Sequence, residues 1–114
     1  MEHEAYALAA RIKKTQTLRD KMALDQFKDK RILITGVCGT VGKELLKQLM
    51  PLKPAEVVGL DNNESELFFL GQEYRENKNV RLFLADARDK SKLRRKMQDI
   101  DVVLHTAALK HVIL

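Results

Sequence analysis

The chain has 114 residues, 45% hydrophobic and 32% charged, with a formal net charge of +5. That length supports one core and excludes an assembly of several domains, and apolar residues in periodic runs exclude a disordered tail. There is no run of about eighteen apolar residues, and Glu2, Glu4 and Arg11 stand where a signal peptide would carry a continuous apolar centre. A cytoplasmic protein with no membrane contact is the expectation. Cys38 is the single cysteine, so an internal disulfide and a cysteine-based metal site are excluded, and no metal is expected.

The densest basic cluster is Lys90, Lys92, Arg94, Arg95 and Lys96. Leu93 and Met97 lie four apart within it, which predicts an amphipathic helix with the basic residues on its solvated face. No aromatic residue interleaves the cluster, so a stacking platform for bases is missing and no nucleic-acid partner is expected.

In chain order, residues 4–27 lack Gly and Pro, and Leu8, Ile12, Thr15, Leu18 and Met22 recur at spacings of three and four. This predicts a helical arm over 1–29 that packs on the domain or on a second subunit. Ile32, Leu33 and Ile34 then form a short apolar run suited to a strand buried on both faces. Gly36, Gly39 and Gly42 follow at intervals of three, before an amphipathic helix from Thr40 to about Met50 whose buried face is Val41, Leu45, Leu46 and Leu49. The first glycine permits a tight turn, the second a close backbone approach to a pyrophosphate, and the third close packing of helix on strand. A Walker A loop is excluded, because five residues separate Gly36 from Gly42 and Glu44 follows Lys43. Cys38 reads as a small residue filling the turn.

Pro51 and Pro54 end the helix, and 56–60 is the second strand, reaching Asp61 nineteen residues after Gly42. A carboxylate there can accept both ribose hydroxyls of an adenosine dinucleotide, although Asp61 also has the chemistry of a helix N-cap. A helix over 64–76 with Leu67, Phe68, Leu70 and Tyr74 inward, a strand over 80–85, the basic helix and a strand over 101–108 complete the pattern. Asp86 can accept from an adenine amino group, with the Ala87 backbone at the ring edge. Asp89 reads as a cap. The architecture predicted is α/β, a Rossmann-like doubly wound parallel sheet in the order 3-2-1-4, over 30–114. Its fourth strand is an exposed edge, so a homo-oligomer or partial order near the C-terminus is expected.

These motifs resemble the extended short-chain dehydrogenase/reductase superfamily through Thr35-Gly-x-x-Gly-x-x-Gly42, Asp61, Asp86 and Ala107-Ala108. The run Ala107-Ala-Leu-Lys-His-Val112 is similar to the signature of nucleotide-sugar 4,6-dehydratases of polysaccharide biosynthesis acting on UDP-N-acetylglucosamine, though Ile113 stands where that family has Pro. The resemblance covers 30–112. It implies a redox-neutral cycle in which hydride leaves sugar C4, water is lost, and the hydride returns at C6. It places Gly36, Gly39, Thr40, Val41 and Gly42 along a pyrophosphate and Asp61 at a ribose. Asp86 and Ala87 fall at adenine, and Ala107, Ala108 and Lys110 on the nicotinamide side.

NAD is the expected cofactor and NADP the alternative, because Asp61 would repel a 2′-phosphate and no Lys or Arg occurs from 62 to 71. The superfamily's Tyr-x-x-x-Lys pair is absent, so no catalytic residue is expected within this chain. It reads as the cofactor-binding N-terminal portion of a larger enzyme, inactive alone. A non-catalytic dinucleotide-binding module for redox sensing or assembly is the alternative.

Overall fold

The computed structural model describes residues 22, 24–86 and 88–106. Most of the expected N-terminal arm, Ala87 and residues 107–114 lie outside the described residues. Four strands, β1 (Arg31–Thr35), β2 (Glu56–Asp61), β3 (Val80–Leu84) and β4 (Val102–His105), alternate with three helices, α1 (Thr40–Leu49), α2 (Glu64–Glu73) and α3 (Lys90–Lys96). The strands pair in parallel in the order β3-β2-β1-β4, the Rossmann-like arrangement that the alternation of strands and helices predicts.

Successive residues of β1 point to opposite faces, and both faces are covered. On one face Ile32, Ile34 and Val57 pack with Leu45, Leu46 and Leu49 of α1 and Leu70 of α2. On the other face Leu33, Val58, Leu60 and Ala85 form a smaller cluster with Phe83, Leu93 and Ile100. Leu45, Leu46 and Leu49 have no exposed surface, whereas Val41 is only partly buried at the rim of the same stripe.

At the N-terminal ends of the strands, Glu56 accepts from Arg31 at 2.7 Å and lies 3.5 Å from Arg81, tying β1, β2 and β3 together. The opposite, C-terminal ends are left for the loops that carry the candidate site.

α2 departs from expectation. Phe68 is 62% exposed rather than inward, and it stacks edge-on against the equally exposed Phe69 with ring centres 5.6 Å apart. Leu67, Leu70 and Tyr74 already fill the stripe at spacings of three and four. Phe68 lies about 100° round the helix from Leu67 and falls outside that stripe. The helix also stops at Glu73, with Tyr74 as its C-cap.

α3 departs in a second way. Leu93 packs on the smaller cluster, but Met97 is 46% exposed and Lys96 is drawn in, its Nζ 3.4 Å from the centre of the Phe83 ring. Arg81 lies over the same ring at 5.3 Å, so part of the basic face covers an aromatic side chain instead of standing in solvent. β4 pairs with β1 alone among the described strands, and its Val103 is 42% exposed.

Candidate functional site

The turn between β1 and α1 is held by sterics and by hydrogen bonds to β2 and to Thr106, the residue after β4. Gly36 has φ 72°, in the left-handed region that glycine adopts freely and most other residues only at a cost. A Cβ on Gly42 would stand 2.1 Å from the Gly36 carbonyl oxygen and 2.7 Å from Val37 Cα. Both contacts are backbone, so position 42 admits no side chain at all. Gly39 differs: a Cβ there would meet only the Gly36 oxygen, at 3.3 Å. Internal packing therefore requires the first and third glycines and only crowds the second.

Val37 anchors the turn from within. Its side chain is fully buried in the larger cluster, and a Cβ on Gly59 of β2 would collide with it at 2.9 Å. Gly59 is thus the notch that receives Val37. The Gly36 and Val37 N–H groups donate to the Leu60 carbonyl at 2.8 and 3.2 Å, seating the turn on β2.

Asp61 ends β2 beside this turn. Its Oδ2 accepts from the Cys38 backbone N–H at 3.0 Å and its Oδ1 from the Asn63 N–H at 3.0 Å. The cap of α2 is Asn63, whose side chain accepts from the Glu66 N–H at 3.1 Å, so capping is not what Asp61 does. Just after β4, Thr106 Oγ1 donates to the carbonyls of Thr35 at 2.5 Å and Gly36 at 3.2 Å. Thr35 Oγ1 is hydrogen-bonded to His105 Nδ1. Burial pushes His105 below its ordinary value, which favours the neutral imidazole.

The Cys38 thiol is pushed up to about 11, by burial first and by the nearby charge of Asp61 second. A thiol held protonated in this way is a poor nucleophile, in keeping with a residue that fills space.

The N-terminus of α1 opens from the same turn. Gly39 is its N-cap, no side chain caps it, and its first turn contains no acidic residue. The backbone N–H groups of Thr40, Val41 and Gly42 lie in the first turn of α1, whose N-terminal N–H groups have no partner within the helix and which carries the positive end of the helix dipole, directly after the glycines. A diphosphate fits that chemistry: it needs N–H donors, a positive potential and a backbone with no side chain in the way.

The structure brings Gly36, Gly39, Thr40, Val41, Gly42 and Asp61 together in one corner. Asp86 follows β3, and its carboxylate accepts from the Arg88 backbone N–H at 2.8 Å and is ion-paired with the Arg88 guanidinium at 2.8 Å. Asp89 caps α3 by accepting from the Lys92 N–H at 3.0 Å. Ala87, Ala107, Ala108 and Lys110 lie outside the described residues.

Val37, Gly59 and Thr106 were not among the residues that the motif singled out. The signal for Gly59 was a glycine inside an otherwise β-branched strand, which marks a close approach. A groove of about 650 Å³ beside β3 is lined by Phe68, Gly71, Gln72, Arg75, Leu82 and Leu84 among others, and none of the expected site residues lines it. Among the described residues no group of three or more His, Cys, Asp or Glu side chains is placed to hold a metal.

Residues 32–114 match the family described as polysaccharide biosynthesis protein. The chain is 48% identical over 86 residues to an uncharacterized membrane protein of Methanocaldococcus jannaschii. It is 39% identical over 87 residues to a UDP-N-acetylglucosamine 4,6-dehydratase (inverting) of Campylobacter jejuni. Each alignment takes in 75% of this chain and 26% of the relative, so the chain spans about a quarter of the length of the relatives it matches. Among the described residues no helix is long and apolar enough to cross a membrane.

Of solved structures, Pen from Bacillus thuringiensis superposes with a TM-score of 0.70 at 40% identity over 75% of this chain and 27% of that one. The Bordetella bronchiseptica enzyme WbmF, solved in complex with NAD+ and UDP, superposes with a TM-score of 0.58 at 21% identity. It covers 72% of this chain and 24% of that one, and at that identity it speaks for the fold.

Proposed function

The chain belongs to the polysaccharide biosynthesis protein family, and from that membership we propose that it is the dinucleotide-binding portion of a nucleotide-sugar 4,6-dehydratase or epimerase. Residues 30–114 form the binding unit in this reading and 1–29 an arm preceding it. The observation that carries the proposal is the glycine turn. Its backbone is bonded to Leu60, Asp61 and Thr106, and it leads directly into the uncapped N-terminus of α1.

Each residue then has a task its position suits. The N–H groups of Thr40, Val41 and Gly42 donate to a pyrophosphate, and Gly39 lets it approach. Asp61 keeps acceptor capacity beyond its two backbone partners, because an ionised carboxylate offers about four lone-pair sites, and it takes the ribose hydroxyls. Asp86 exchanges its Arg88 contact for the adenine amino group, with Ala87 at the ring edge, while Ala107, Ala108 and Lys110 stand on the nicotinamide side. When bound, the nicotinamide supplies a reversible hydride acceptor for C4 of the sugar.

NAD is the cofactor this corner favours. Asp61 is a fixed negative charge where NADP carries its 2′-phosphate, and 62–71 contain no cation. The named activity of the C. jejuni relative, a UDP-N-acetylglucosamine 4,6-dehydratase, supports the substrate class.

Calorimetric titration of the chain with NAD and NADP tests the proposal. Saturable NAD binding, lost in Gly39→Val and weakened much more for NAD than for NADP in Asp61→Ala, is the expected result. Absence of NAD binding to the unmodified chain contradicts the dinucleotide reading, and equal losses for both cofactors in Asp61→Ala contradict the ribose assignment.

A further inference from the structure

The first turns of α1 and α2 face each other across the corner occupied by Asp61. Lys43, in the first turn of α1, reaches toward Glu66, in the first turn of α2, with Nζ and Oε2 3.3 Å apart. Both side chains are close to half exposed, at 46% and 45%. The pair borders the glycine turn itself, because the charges of Lys43, Glu66 and Asp61 all bear on the Cys38 thiol, and the Cys38 backbone N–H donates to Asp61. Three formal charges, two negative and one positive, therefore share the corner in which a dinucleotide ribose would be held.

Segment 62–71 contains no cation, and a cation beside it, Lys43, is contributed by α1. Glu66 acts on this cation in two ways. It shares the ammonium, so that Lys43 is not available in full to another anion, and it adds a second carboxylate to that of Asp61. A ribose 2′-hydroxyl is indifferent to both effects. A 2′-phosphate, carrying roughly −1.5 to −2 at neutral pH, would meet two carboxylates and one shared ammonium.

We propose that the Lys43–Glu66 ion pair is a cofactor-selectivity latch, in which Glu66 withholds Lys43 from a ribose 2′-phosphate and so reinforces the preference for NAD that Asp61 sets. The assignment rests on the dinucleotide reading above. Its polarity is reversible: with Glu66 neutral, the ammonium is released and becomes a phosphate-binding group. The cap of α2 survives that change, since Asn63 accepts from the backbone N–H of residue 66 and not from its side chain.

The experiment compares three forms of the chain, unmodified, Glu66→Gln and the double variant Glu66→Gln/Lys43→Gln, titrated calorimetrically with NAD and with NADP at one low ionic strength. Glu66→Gln is expected to move the affinity ratio toward NADP by about fivefold to tenfold, the size of one charge contact in a partly solvated site. The double variant is expected to lose most of that gain. A ratio within about twofold of the unmodified chain in Glu66→Gln overturns the latch, and so does a gain that persists in full without Lys43. Failure of the dinucleotide reading has a separate signature: neither cofactor binds any of the three forms, which overturns both.

Discussion

Two loops at the same end of the sheet carry expected site residues, and they are built in opposite ways. The turn after β1 is over-determined. Gly42 has no room for a methyl group, Val37 is buried in a notch cut by Gly59, and the backbone is bonded to Leu60, Asp61 and Thr106. The loop after β3 is tied mostly to itself, by the Asp89 N–H donating to the Asp86 carbonyl at 2.9 Å and by an exposed ion pair. Asp86 bonds to Arg88 two residues away, and the Arg88 side chain is 90% exposed. A rigid backbone cradle suits a group bound through N–H donors. An ion pair to an exposed arginine contributes little, so exchanging it for a ligand contact costs little.

Substitutions in the two loops can break or sharpen that contrast. The largest effect is expected at Gly42→Ala, where overlap with backbone atoms cannot be relieved by rotating a side chain. A loss of at least about 3 kcal/mol in urea denaturation, or failure to fold, is the expected outcome. Gly39→Ala should cost under about 1 kcal/mol, because its Cβ meets one oxygen at a tolerable distance and an N-cap glycine is replaced by a weaker cap. Similar costs at the two positions would mean that the turn is a uniformly tight bend and not a packed wall with one open side.

Arg88→Ala should have the smallest effect, leaving the thermal midpoint indistinguishable from that of the unmodified chain. A clear drop there would show that the loop after β3 is constrained as firmly as the glycine turn.

The fold was largely legible because its cause is periodic. Runs such as 32–34 and 56–60 announce buried parallel strands, and Leu45, Leu46 and Leu49 fall on one side of α1 as a period of 3.6 requires. Periodicity alone does not say which neighbour of a stripe is included: Leu46 beside Leu45 is buried, whereas Phe68 beside Leu67 is exposed because Leu67, Leu70 and Tyr74 complete the stripe without it. The glycine pattern was legible for a steric reason, since φ 72° favours glycine and a Cβ contact at 2.1 Å requires it.

Pairings across long sequence separation were not legible. Lys43 with Glu66, Asp61 with the Cys38 N–H and Thr106 with Gly36 each join residues from different βα units. Nothing in the local spacing of either partner points to the other. The alternative of Asp61 as a cap was chemically sound and was decided by geometry, which gave that position to Asn63.

The measurement that bears most directly on the central claim is a map of backbone amide shifts in the isotope-labelled chain as NAD is added. The account predicts the largest changes at Cys38, Gly39, Thr40, Val41 and Gly42, with smaller ones around Asp61 and Asn63. Changes that spare the glycine turn, or that concentrate along the groove of Phe68, Gln72 and Leu82, would contradict it.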